Sequence, residues 1–175
     1  MIEEQTDEGR IRYSLKESAL KPEPLKHGLY TTWYPNGTKK SEVTYRNGKK
    51  HGIETVWDAF GAKLRETHYR SGQKSGKEIY WGPDGNKKKE TNYKYDRRHG
   101  REITYHENGV IAKIENFFSG EKNGEETGFD NKGRTVYQVT YTAGKKNGKE
   151  VFIDYTSAEK PVVTEINWVN GEVKK

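Results

Sequence analysis

The chain has 175 residues, of which 30% are hydrophobic, 33% charged and 12% aromatic, and it carries a formal net charge of +6. So polar a composition leans toward disorder, because little apolar area is available to offset the entropy of ordering. Four Trp, twelve Tyr and five Phe point instead to a thin-cored β protein with half-buried sheet surfaces, and the lack of cysteine excludes disulfides, thiolate metal sites and cysteine nucleophiles.

Residues 1–24 form an acidic, poorly repeated segment: the first twenty hold 3 basic and 5 acidic groups. Residues 1–20 are expected to lie outside the repeat and to be the part most open to proteolysis. Met1-Ile2-Glu3-Glu4 lacks the basic start and apolar run of a signal peptide, and no stretch approaches the roughly 18 apolar residues needed to span a bilayer. The chain as it stands is expected to be soluble, with no transmembrane segment. Its start suits either a cytoplasmic protein or a cell-envelope protein after removal of an export signal.

From residue 25 to 175 the sequence is repetitive. Gly28, Gly52, Gly76, Gly100, Gly124 and Gly148 lie 24 residues apart, so six units begin near residues 27, 51, 75, 99, 123 and 147. A second glycine follows at Gly37, Gly61, Gly85, Gly109 and Gly133, and a third at Gly48, Gly72, Gly120, Gly144 and, in the longer sixth unit, Gly171, with Asp96 taking that place in the third unit. The runs between them, such as Leu29-Tyr30-Thr31-Thr32-Trp33-Tyr34 and Lys40-Ser41-Glu42-Val43-Thr44-Tyr45, are too short for helices and rich in β-branched and aromatic residues. Each unit reads as a β-hairpin. The fold expected is all-β: an elongated antiparallel β-meander of about twelve strands in a single twisted sheet.

Tyr34-Pro35-Asn36-Gly37 and Gly82-Pro83-Asp84-Gly85 suit a type I turn followed by a left-handed glycine, so the glycines of this slot are structural turn residues with positive φ. Pairing Tyr34 with Thr38 and Trp33 with Lys39 places Trp33, Val43 and Tyr45 on one face. By the same count Trp57 joins Tyr69 and Trp81 joins Tyr93, provided the linking loops hold an odd number of residues. Trp33, Tyr45, Trp57, Tyr69, Trp81 and Tyr93 then form one aromatic face, which serves as packing core or as core plus an open binding groove. The opposite face is expected to be polar, with Glu54, Glu78, Glu102, Glu126 and Glu150 in one slot and Glu42, Glu66, Glu90 and Glu165 in another. This register sets Glu54 against Glu66, which like charges disfavour unless cations interleave or the register shifts by one.

The unit from His51-Gly52 through Tyr69 and Gly72 resembles the bacterial variant of the membrane occupation and recognition nexus (MORN) repeat. More closely, Trp33-Tyr34-Pro35-Asn36-Gly37 and Tyr45-Arg46-Asn47-Gly48-Lys49 are similar to strings found in the antitoxin-labelled YwqK family. The resemblance covers residues 26–175, although the third unit lacks its last glycine and the sixth holds Ser157 in place of its turn glycine. It implies a twisted antiparallel sheet used for protein contact, scaffolding or attachment at the cell envelope, and fold carries over better than partner.

No catalytic constellation emerges. His27, His51 and His99 share a turn slot filled by Ser75, Asn123 and Asn147 elsewhere, and His68 and His106 stand alone. Glutamates repeated five times along one slot suit a solvated face better than acid-base chemistry or a metal site. The glycine turns lack the strand-to-helix context of a phosphate loop. The expectation is therefore a non-catalytic module without cofactor or metal, whose partner is another protein, antitoxin-like or immunity-like in kind. Envelope contact with glycan or membrane is the alternative. Residues 21–122 carry 21 basic and 13 acidic groups, a bias that draws anions but that also keeps sheet edges soluble. Nucleic acid is the weakest reading, since glutamate is mixed into every unit.

Overall fold

The computed structural model describes residues 1–17, 23–157 and 160–174. Part of the acidic N-terminal segment, at 18–22, and the tip of the sixth hairpin, at 158–159, lie outside the described residues. Every regular element is a strand, and the strands form an antiparallel meander of hairpins. The chain divides into two compact units, residues 1–85 with 93–96, and residues 86–92 with 97–175.

The first unit contains β1 (Ile2–Thr6), β2 (Gly9–Tyr13), β3 (Leu15–Lys16), β4 (Leu25–Lys26), β5 (Gly28–Trp33), β6 (Lys39–Arg46), β7 (Lys49–Trp57), β8 (Lys63–Arg70) and β9 (Gln73–Trp81). From β5 to β9 each strand pairs with the next. The acidic N-terminus, expected to stand apart, supplies a hairpin: β1 pairs with β2, and β2 pairs with β5. Its docking needs Gly9, whose φ is +125° and whose absent Cβ would sit 1.9 Å from the carbonyl oxygen of Trp33. Strand β10 (Lys87–Lys94) spans the chain boundary between the units.

The second unit holds β11 (Arg97–Tyr105), β12 (Ile111–Phe118), β13 (Glu121–Lys122), β14 (Gly124–Phe129), β15 (Thr135–Thr142), β16 (Lys145–Asp154), β17 (Val162–Val169) and β18 (Glu172–Val173). Its strands likewise pair in chain order, with β13 on β12 beside the start of β14.

Two kinds of turn close the hairpins. In the first, Gly37 donates its N–H to the Tyr34 carbonyl and Tyr34 donates to Thr38; Gly37, Gly61, Gly85, Gly109 and Gly133 have φ between 74° and 87°, as expected. The second kind holds two residues, not the odd number expected. Asn47-Gly48 and Ser71-Gly72 have positive φ at both positions, the mirror-image turn whose twist suits a hairpin. The second turn residue also donates its N–H back to the preceding repeat: Gly48 to Lys26, Gly72 to Lys50, Gly120 to Arg98 and Gly144 to Lys122. Those bonds tie each hairpin to the one before and account for the fixed 24-residue spacing.

The core is polar. Among the described residues the fully buried hydrophobic side chains are Val43, Phe117 and Val139, whereas seven glutamates are buried: Glu54, Glu78, Glu90, Glu102, Glu115, Glu126 and Glu150.

Candidate interaction surface

The expected pairing of Trp33 with Lys39 is present, but the next pair is Thr32 with Ser41. Lys40 is thus an extra residue on the return strand, and this bulge reverses the face of everything beyond it. Val56 with Arg65 and Trp57 with Lys63 repeat the shift around Leu64, as do Thr104 with Lys113 and Tyr105 with Ile111 around Ala112. The single aromatic face therefore divides. Trp33 and Trp57 share one face with Glu42 and Glu66, and Trp81 fills the same repeat position. Tyr45 and Tyr69, with Tyr93 in their slot, take the other face together with Val43, Thr67 and the column of Glu54 and Glu78. The pairing of Glu54 with Glu66 is likewise corrected: Glu54 lies opposite Thr67, and Thr55 opposite Glu66.

On the tyrosine face each repeat builds the same cluster from residues four apart on one strand and an aromatic on the next. In the first unit, Lys50 bonds Glu54 and lies 5.0 Å from the Tyr69 ring centroid, while Arg65 bonds the second Glu54 oxygen at 3.1 Å. Lys74 bonds Glu78 at 2.6 Å, lies 4.8 Å from the Tyr93 ring, and the Thr67 hydroxyl donates to Glu78 at 3.1 Å. The second unit repeats this. Arg98 stacks on Phe117 at 3.9 Å, Thr91 and Lys89 bond Glu102 at 2.9 Å, and Lys122 bridges Glu115 and Glu126 at 2.7 and 2.5 Å. Glu150 accepts from Lys146, from the Tyr137 hydroxyl at 2.8 Å and from the Trp168 indole at 2.7 Å.

These contacts set the titration behaviour. Burial alone pushes Glu115 upward, but hydrogen bonds and charge from Lys122 and Lys113 outweigh it and hold the carboxyl below its ordinary value. Glu150 is lowered in the same way: bonds from Lys146, Tyr137 and Trp168 overcome its burial. Burial lowers Lys122, yet Glu115 and Glu126 raise it further than burial lowers it. Burial and the Glu54 charge push Tyr69 up to about 12; outside the ladder, burial with the Glu90 hydrogen bond does the same for Tyr105, which fills the tryptophan slot of its repeat. Each glutamate of the repeated slot has a cationic partner, and Tyr69 and Tyr93 stack beside the lysines that supply it. The cue was present in the sequence as a Lys or Arg four residues before each of the five glutamates, an even spacing that puts both on one face of a strand.

The tryptophan face is different. Trp33, Trp57 and Trp81 are half-buried and each lies under a cation: Arg10 stands 4.3 Å from the Trp33 ring centroid, Lys39 5.3 Å from Trp57 and Lys63 5.1 Å from Trp81. The same lysines pair with Glu42 and Glu66 at 2.7 and 2.6 Å. Exposed Leu29 and Ile53 lie on this face as well. It is thus an amphipathic surface of indole, aliphatic and charged groups. His27 accepts from the Asn47 backbone N–H at 3.4 Å, in keeping with its turn slot.

A family model described as a MORN repeat variant matches residues 26–47 and 98–118. Each match covers one hairpin, β5–β6 and β11–β12, and the remaining units follow at the same spacing. No curated protein matches the chain. Among the described residues no helix is long and apolar enough to cross a membrane.

Proposed function

We propose that this chain is a non-catalytic repeat module that binds another protein through the face bearing Trp33, Trp57 and Trp81. MORN repeats are protein- or membrane-binding modules, which supports the coarse reading. The observation that carries the finer one is the division of the aromatics: the half-buried tyrosines pack against the buried glutamates of the ladder, whereas the equally half-buried indoles share their face with exposed Leu29 and Ile53. Tryptophan in such a setting is the residue type enriched at binding hot spots. An antitoxin-like or immunity partner is the finer role we assign, supported by the likeness of Trp33-Tyr34-Pro35-Asn36-Gly37 to the YwqK family.

The test compares Trp57→Ala with Phe129→Ala for melting temperature and for affinity toward a partner captured from the source cells. Trp57→Ala is expected to weaken binding by about 2 kcal/mol or more beyond any change in melting temperature. Affinity losses that are equal in the two variants and that track melting temperature would overturn the assignment.

A further inference from the structure

Two groups of cations stand out in the first unit. Those of the ladder and of the tryptophan face, such as Lys50, Lys74, Lys39 and Lys63, each have a carboxylate partner. Arg46, Lys49, Arg70 and Lys94 flank the two-residue turns, are exposed, and have no carboxylate partner among the described residues. Arg46 is placed directly opposite Lys49 across the β6–β7 ladder, an arrangement like charges disfavour. The two are brought together with His51, Asn47 and Ser71 around an open cleft of about 350 Å3 whose lining contains no acid. By strand alternation Arg46, Lys49 and Arg70 share the face of Ile53 and Trp57.

We propose that this row of turn-flanking cations is the docking site for an acidic peptide segment of the partner, laid across the strands, with one carboxylate seated in the cleft between Arg46, Lys49 and His51 and the next at Arg70. The inference rests on the protein-binding reading above and adds the chemistry of what is recognised. Spacing selects the ligand. Adjacent strands lie about 4.8 Å apart, so Arg46, Arg70 and Lys94, one hairpin apart, recur about every 10 Å. A peptide in extended or polyproline II form advances about 3.1–3.3 Å per residue, so acidic residues at every third position match that repeat, and in polyproline II they fall on one side of the helix. Exposed Ile53, 49% accessible, offers an apolar seat for an intervening side chain.

The experiment uses the full chain and a fluorescent peptide of about twelve residues with glutamate at every third position, followed by anisotropy at low and raised salt. The comparison ligands are a peptide of the same composition with its glutamates contiguous, vesicles containing phosphatidylserine, and single-stranded DNA. The spaced peptide is expected to bind tightest and to weaken with salt. Arg46→Glu with Arg70→Glu should reduce its affinity by about tenfold or more, and a lysine-for-glutamate peptide should recover binding to that double variant. Lys132→Glu with Lys174→Glu, equal in charge change but remote in sequence, should alter affinity by less than about twofold. Should the double reversal fail to fold by circular dichroism, Arg46→Gln with Arg70→Gln replaces it under the same criteria. Equal affinity for the contiguous peptide, tighter binding to vesicles or DNA, or equal losses in the two charge-reversed pairs would overturn the proposal. A captured partner that binds the Arg46 and Arg70 variant normally but loses Trp57→Ala would overturn this site while leaving the protein-binding function standing.

Discussion

In the first unit two columns of glutamate run through the hairpins at the same period and meet opposite fates. Glu78 is 2% exposed and is held by Lys74 and Thr67. Glu66, on the other side of the β8–β9 pair, keeps 23% of its side chain in solvent and is held by Lys63, itself 41% exposed. Composition does not distinguish them; the difference is how much water each retains. A carboxylate taken out of water is tolerated only when its lone pairs are filled, and the ladder fills them with ammonium, hydroxyl and indole donors. The outer pairs at Glu42 and Glu66 keep their hydration and so gain little from pairing. The contrast shows how a chain that is only 30% hydrophobic makes an interior: aromatic rings and saturated ion pairs take the place of aliphatic packing.

The strongest challenge to this contrast is pH. Because Glu115 and Glu150 titrate below their ordinary value of 4.5 in the folded chain, their contribution is complete above that value and is lost as pH falls through it. Tyr69 and Tyr105, raised to about 12, contribute fully below 10 and lose that contribution as pH rises toward 12. Urea midpoints are therefore expected to hold a plateau between these limits and to fall on both sides, and a midpoint unchanged on moving from pH 5 to pH 3 would refute the ladder as a stabilising element. Next in size, Glu78→Ala should cost about 3 kcal/mol, because it strands Lys74 and Thr67 beside a vacated buried site. Chemical denaturation measures it directly.

The turn and bulge that separate the two columns can be tested at Gly61, whose φ is 87° and whose N–H closes the turn onto Asp58. Gly61→Val should destabilise by about 1–3 kcal/mol, since a β-branched residue is strained there. An unchanged melting temperature would show that the hairpin does not depend on this geometry. The smallest effect belongs to the outer column. Glu66→Ala is expected to change stability by no more than about 1 kcal/mol, and a loss comparable to that of Glu78→Ala would erase the distinction between the faces.

How much of this was legible beforehand follows from the physics of strands. The glycine period, the Pro-Asn-Gly and Pro-Asp-Gly turns and the short aromatic runs determine an antiparallel hairpin meander by themselves, because turn geometry and strand length are local properties written into consecutive residues. The positive φ of Gly37 and its equivalents was local in the same sense. The faces were not. A single extra residue, Lys40 or Leu64, reverses the side on which every later side chain emerges, and nothing in those two residues marks them as bulged. The fate of Tyr45, Tyr69 and Tyr93 followed from that reversal, as did the burial of Glu54 and Glu78. The docking of the N-terminal hairpin was hidden for a separate reason: it needs the Trp33 backbone beside Gly9. Those features depend on register between strands that are distant along the chain, and register is settled only when the strands pair.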